Sequence, residues 1–229
     1  LKQMGIENYE TVHLHPLSNA GYYPTANPMD LKLIFEVPSG KVLGAQAIGY
    51  TGVEKRIDVI ATAIAAGMTV RELQDIELAY APPFSSAKDP VNMAGYAASN
   101  ILDGLVKKVD VMEIDQLVED GEYLLDIRTG EEYSLGNING SVNIPLDELR
   151  DRMDEIPKDR IIYVNCQVGL RGYLGCRILN QNGFNTYNLD GGYSLYSNYK
   201  RVIKKDTSCI QGKGIACTDN SDALPKKSN

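Results

Sequence analysis

The chain has 229 residues, 43% of them hydrophobic and 23% charged, and a formal net charge of −7. That length holds one large domain or two of about 100 residues each, and the composition excludes a chain disordered throughout. The acidic balance excludes the clustered cations that a phosphate backbone requires, so no nucleic-acid partner is expected; no apolar run approaches the roughly 20 residues of a membrane span.

Residues 1–10 have neither a basic n-region nor an apolar h-region, so no signal peptide is expected. Without an initiator Met they read as the middle of a domain, which predicts N-terminal truncation. Residues 11–15 suit a strand. Residues 31–37 (LKLIFEV) and 41–50 (KVLGAQAIGY) alternate apolar with polar or small residues, and Pro38-Ser39-Gly40 between them predicts a hairpin. Residues 54–66 set Ile57, Ile60, Ala61 and Ile64 at helical spacing, closed by Gly67. Thr69 with Glu72 predicts a capping box on a short helix. Asp89-Pro90 opens a third helix and Gly104 ends it. A meandering sheet with segregated helices is α+β architecture.

The pattern changes near Lys107–Val109. Strands are predicted at residues 123–127, 160–165 (RIIYVN) and 184–189, and helices at 146–156, 171–182 and near 193–200. Alternating strands and helices predict an α/β unit with a largely parallel sheet flanked by helices. From residue 204 to 229 the composition turns polar and small, so a flexible tail is expected. The expected boundaries are therefore 1–106, 110–203 and 204–229.

Cys166 directly follows the strand RIIYVN, and Gln167, Val168, Gly169 and Leu170 separate it from Arg171 at the start of the next helix. Ligands of open α/β sheets bind beyond the carboxyl ends of the strands. Successive N–H groups and a helix N-terminus there favour an anion, and a thiolate is the nucleophilic form of cysteine. Arg171 adds a permanent positive charge, and Gly169 lets the loop curl around the sulfur. Position alone leaves a buried structural cysteine as an equal alternative.

Around that loop, residues 112–200 resemble the rhodanese family. The pieces are LLDIR (124–128), GNINGSVNIP (136–145), CQVGLR (166–171) and NLDGGY (188–193), in that order. The resemblance implies that Cys166 takes up sulfur as a persulfide and passes it to a thiol or other nucleophile. Gln167, Val168, Gly169 and Leu170 would cradle the sulfur, with Arg171 at the rim and Asp126 and Arg128 as acidic and basic supports. An ordinary surface ion pair is the alternative for those two. Asn137 stands where rhodaneses usually carry His. The related dual-specificity phosphatases have one more residue between Cys and Arg, so this loop suits a single sulfur atom better than phosphate.

The stretch AYAPPFSSAKDPVNMAGYAASN (79–100), with AGYYP (20–24) upstream, resembles the dimerisation domain of flavin-dependent coenzyme A-disulfide reductases and related NADH oxidases over residues 9–104. That resemblance implies a homodimer. It also places Tyr22 (Tyr23 in a shifted register) and Tyr80 toward the partner's flavin and coenzyme A site, where a phenol can donate to a developing thiolate. Interface packing is the alternative role. His13 and His15 share one strand face and are expected to be structural.

No GxGxxG follows a strand, and GKGIAC (212–217) has the wrong context and final residue. The folds for FAD and NAD(P)H are therefore expected outside these residues, with coenzyme A as substrate and no cofactor on the rhodanese-like part. Cys166, Cys176, Cys209 and Cys217 form no CxxC and no paired metal-ligand spacing, so no metal is expected. Few cysteines and no secretory signal predict a reducing, cytoplasmic setting. Cys176 reads as core, and a second sulfur relay at Cys209 and Cys217 is a minor alternative. The leading expectation is the C-terminal portion of a coenzyme A-disulfide or persulfide reductase with a fused rhodanese domain. A self-sufficient dimeric sulfurtransferase and a non-catalytic interaction module are the alternatives.

Overall fold

The computed structural model describes residues 5–211, with side chains described through residue 203. Two sheets divide the chain. The first is antiparallel, in the order β1 (Tyr9–Leu14), β2 (Met29–Glu36), β3 (Val42–Gly49). In β2 the buried residues are Met29, Leu31, Leu33 and Phe35, every second position. A one-residue slip would turn all four to the other face, which pins the register. Leu31, Leu33 and Phe35 pack with Ile60 and Ala63 of α1 (Val53–Ala65), Val70 and Leu73 of α2 (Val70–Asp75), and Val91, Ala94 and Ala98 of α3 (Pro90–Leu102). Each large side chain so buried contributes about 1.5–3 kcal/mol.

Local signals set the helix ends. Thr69 and Glu72 form the expected capping box, and Asp89 caps α3 by accepting from the Val91 N–H at 3.0 Å. A Cβ at Gly95 would meet the Val70 carbonyl oxygen at 2.8 Å, so α2 and α3 touch backbone to side-chain position there. Arg56 is buried among polar partners: its guanidinium donates to Ser18 O at 2.8 Å and to Asp89 Oδ2 at 2.9 Å, joining α1 to the start of α3.

The second sheet is entirely parallel, in the order β4 (Lys108–Val109), β8 (Asn185–Leu189), β7 (Ile161–Asn165), β5 (Tyr123–Asp126), β6 (Val142–Asn143). Ile162 and Val164 of the central β7 are buried, as parallel strands covered on both faces must be. α6 (Leu170–Gln181) supplies Cys176 and Leu179 to a core containing Leu125, Ile127 and Val164. A second cluster, Val109, Val111, Ile114, Leu124, Ile138 and Leu189, includes the start of α4 (Ile114–Glu119) and packs against Tyr193 and Tyr196 of α7 (Gly192–Gln211). α5 (Gly130–Ser134) completes the unit.

Three differences from the sequence reading have local causes. Residues 146–156 are not a helix. Glu148 N–H bonds Pro145 O, Leu149 N–H bonds Leu146 O and Asp151 N–H bonds Glu148 O, a run of tight turns ending in a 3-10 turn at Met153–Glu155. Leu146 N–H is tied instead to Ile127 O at 3.0 Å, which holds the start of the segment against the end of β5. β4 and β6, two residues each, are too short for any periodicity. α7 runs to Gln211, past the helix expected near 193–200 and into the expected tail; residues 212–229, with Cys217, lie outside the described residues, as does the side chain of Cys209.

Candidate active site at the carboxyl end of β7

Cys166 leaves β7 at its carboxyl end and is fully buried. Its Sγ accepts the N–H of Gly169 at 3.1 Å. Gly169 is the N-cap of α6 with a φ of 101°, a left-handed conformation that turns this N–H back onto the sulfur. Asn188 of β8 donates Nδ2 to the Gly169 carbonyl at 3.2 Å. A strap formed by residues 191–194 crosses the loop's base: Tyr193 N–H donates to Cys166 O at 2.8 Å and Ser194 N–H to Gln167 O at 3.0 Å. Gln167 returns the contact, its Nε2 donating to Ser194 Oγ at 2.8 Å.

The flanking charges come from the end of β5 and the turn after it, from α5 and from the start of α6. Asp126 and Arg128 are both buried and paired at 2.7 Å, a buried ion pair and not a surface one. Arg128 also donates to Gly136 O at 2.7 Å and to Gln167 Oε1 at 3.2 Å, and its guanidinium lies 4.1 Å from the Tyr193 ring. One side chain thus ties the end of β5 to the loop and to the strap. Arg171 forms a fork with Glu132, at 2.7 and 2.6 Å. Hydrogen bonding to Glu132 raises Arg171, with smaller contributions from the Cys166 and Asp126 charges. The Arg171 guanidinium likewise holds the Glu132 carboxyl down at about 2, against an ordinary 4.5.

That depression has a pH consequence. A carboxyl lowered in the folded state stabilises the protein above its unfolded value and loses that contribution as pH falls through the folded one. The stability difference between wild type and Glu132→Gln is expected to be constant above about pH 5. It should vanish as pH falls from 4.5 toward 2, as read by urea unfolding at each pH. An unchanged difference at pH 2 would refute it.

Tyr22 and Tyr80 meet on the first unit, their hydroxyls 3.2 Å apart, and both are exposed, at 77% and 48%. It is Tyr22, not Tyr23, that reaches Tyr80. The hydrogen bond from Tyr22 is the main cause raising the Tyr80 phenol above its ordinary value. The pair shares no hydrogen bond with the Cys166 loop among the described residues; the site residues expected from sequence fall in two places.

Residues 1–90 match the pyridine nucleotide-disulphide oxidoreductase dimerisation domain, and residues 110–199 match the rhodanese-like domain. The chain joins these two domains. The reduced Bacillus anthracis CoADR-RHD crystal structure superposes with a TM-score of 0.83 and is 58% identical, covering 86% of this chain and 35% of that one. A NAD-dependent persulfide reductase from A. fulgidus gives 0.75 and 44%, covering 83% and 34%. The coenzyme A disulfide reductase of Staphylococcus haemolyticus is 44% identical over 94 residues, 41% of this chain. The chain spans about a fifth (21%) of the length of that curated relative.

Within the rhodanese-like domain, Glu132, Asn188, Tyr193 and Ser194 were missed as site residues. The signals were present for three of them: Thr129 and Glu132 form a capping box, and NLDGGY contains Asn188 and Tyr193. Asn137 is exposed and donates to Tyr133 O at 3.3 Å. Cys176 is a core residue whose thiol burial pushes up to about 12, which keeps it protonated and inert. Among the described residues no group of three or more His, Cys, Asp or Glu is placed to hold a metal ion, and no helix is long and apolar enough to cross a membrane.

Proposed function

We propose that this chain is the C-terminal part of a flavin-dependent coenzyme A-disulfide or persulfide reductase, with residues 110–203 acting as its sulfurtransferase and residues 1–106 as its pairing surface. The observation that carries the reading is the Cys166 loop, with four residues before Arg171, set directly behind a dimerisation domain. In the transfer step the Cys166 thiolate attacks the outer sulfur of a donor such as thiosulfate. A new S–S bond forms, the donor S–S bond breaks and its electron pair leaves on sulfite. An acceptor thiolate, coenzyme A in this reading, then attacks the outer sulfur of the persulfide and releases Cys166 as thiolate. Backbone N–H groups of residues 167–170 and the α6 N-terminus stabilise the terminal anion, while Arg171 faces the dianionic donor.

FAD and NAD(P)H, when bound to the intact enzyme, would supply the electrons that reduce the product. The residues of this chain suited to that neighbourhood are Tyr22 and Tyr80, two exposed phenols already hydrogen-bonded to each other. Pairing of two copies is supported by Tyr22, Ile48, Tyr50 and Phe84, each more than 70% exposed on the first unit.

Native mass spectrometry of the chain after thiosulfate treatment tests both parts. The expected species is a homodimer carrying one added sulfur per chain, localised to Cys166 by peptide mapping, and absent from Cys166→Ser. Sulfur that persists in Cys166→Ser sinks the role of that residue; a strictly monomeric mass sinks the pairing surface.

A further inference from the structure

One carboxylate links the first strand of the dimerisation domain to the segment that crosses the base of the sulfur loop. Asp190 follows β8 and is largely buried. Its Oδ1 accepts the main-chain N–H of His13 at 3.0 Å, and its Oδ2 lies 2.7 Å from His13 Nδ1 and 3.7 Å from Lys108 Nζ. Both hydrogen bonds of the carboxylate therefore run to β1 of the other domain. Lys108 reaches the same strand, at 3.0 Å from Thr11 Oγ1 and from Glu10 Oε2. The N–H of Asp190 donates to Val109 O at 3.1 Å.

Immediately after Asp190 come Gly191 and Gly192, with φ of 72° and 61°, and then the two N–H groups that hold the carbonyls of Cys166 and Gln167. Two consecutive glycines have the widest conformational freedom a backbone offers. The strap runs through them into the first turn of α7, so its two amides are held on one side by that helix, whose Tyr193 and Tyr196 pack on the core, and on the other by Asp190.

We propose that Asp190 is a positioning residue for sulfur transfer. Gripped by His13 and Lys108, it fixes the strap across the Cys166 loop, so the first strand of the dimerisation domain sets the geometry of the nucleophile in the next domain. The inference rests on Cys166 being the sulfur carrier. Misplacement by about 1 Å costs catalysis up to about a hundredfold, and removing either partner leaves buried polar groups unmatched.

The test compares His13→Ala, Asp190→Ala, Asp190→Asn and the double variant His13→Ala/Asp190→Ala in the full chain. Rates of thiosulfate-to-cyanide sulfur transfer are expressed per titrated Cys166 thiol. Both single Ala variants are expected to lose about tenfold in kcat with KM for thiosulfate within about twofold. The double variant should be no worse than Asp190→Ala, because the two residues act as one unit. Asp190→Asn should recover most of the loss, since its amide can accept the His13 main-chain N–H and also donate to the ring Nδ1, the side-chain contact that His13→Ala removes. Hydrogen exchange at the Tyr193 and Ser194 amides is read in parallel and is expected to quicken in both Ala variants. Wild-type kcat in the single variants, a double loss equal to the product of the singles, or unchanged exchange would each overturn the proposal. A failure of the Cys166 reading shows differently: the wild type itself takes up no sulfur on Cys166, while the exchange measurement still decides the role of Asp190.

Discussion

Gly192→Ala is expected to destabilise the chain by about 3–5 kcal/mol and to abolish sulfur loading on Cys166. Two costs add. A side chain at φ 61° pays the left-handed penalty of about 1–2 kcal/mol. Its Cβ would also stand 2.6 Å from Cys166 O and 2.8 Å from Gln167 C and O. These are backbone atoms of the reactive loop and cannot swing aside like the end of a flexible side chain, so the loop or the strap must shift. Gly183→Ala is the control. Its φ of 85° carries the same kind of conformational penalty, but nothing lies within 4 Å of the added Cβ. It should cost about 1 kcal/mol and leave transfer intact. Urea unfolding and Cys166 mass labelling of both variants decide the matter; a Gly192→Ala chain as stable as Gly183→Ala would be the contrary result.

Arg128→Ala is the second large effect. It leaves the Asp126 carboxylate, 0% exposed, with the Arg128 main-chain N–H as its remaining hydrogen-bond partner among those described. Breaking one side of a buried pair costs about 3–5 kcal/mol, whereas replacing both partners with apolar residues is often neutral. Arg128→Met/Asp126→Leu is therefore expected to regain most of the stability. It should not regain sulfur loading, because Gln167 loses its guanidinium partner and Gly136 O its donor. Measured together, unfolding midpoints and loading separate the two roles; a double variant that loads sulfur normally would show that Arg128 serves stability alone.

What could be read from the sequence was what a few neighbouring residues decide. The alternation in β2, the Thr69/Glu72 box and the Asp89-Pro90 start are each complete within eight residues, and each formed as expected. The Cys166 loop is also local: strand, cysteine, glycine in left-handed conformation, helix. The segment 146–156 misled because its apolar spacing suits both a helix and a chain of turns, and the contact that anchors its start, Leu146 N–H to Ile127 O, lies 19 positions upstream. The partners of the loop were hidden for another reason. Glu132 meets Arg171 across 39 positions and His13 meets Asp190 across 177, and nothing in either local sequence specifies a partner so far away. Asp126 and Arg128 lie two apart, yet only the folded sheet shows that their charges are out of water.

The edge strand β4 has a consequence for synthesis. It is the first strand of its sheet to leave the ribosome, and it pairs with the last, Lys108 opposite Asn188 and Val109 opposite Leu189. Closing that ring joins positions 80 residues apart, the kind of non-local pairing that slows folding. A nascent chain extended only to Gln181 already contains Cys166 and α6 but not β8 or the strap. Until β8 docks, Cys166 has neither its neighbour strand nor the cover of residues 191–194, so the last pairing of the sheet is also the one that closes this thiol off from oxidants.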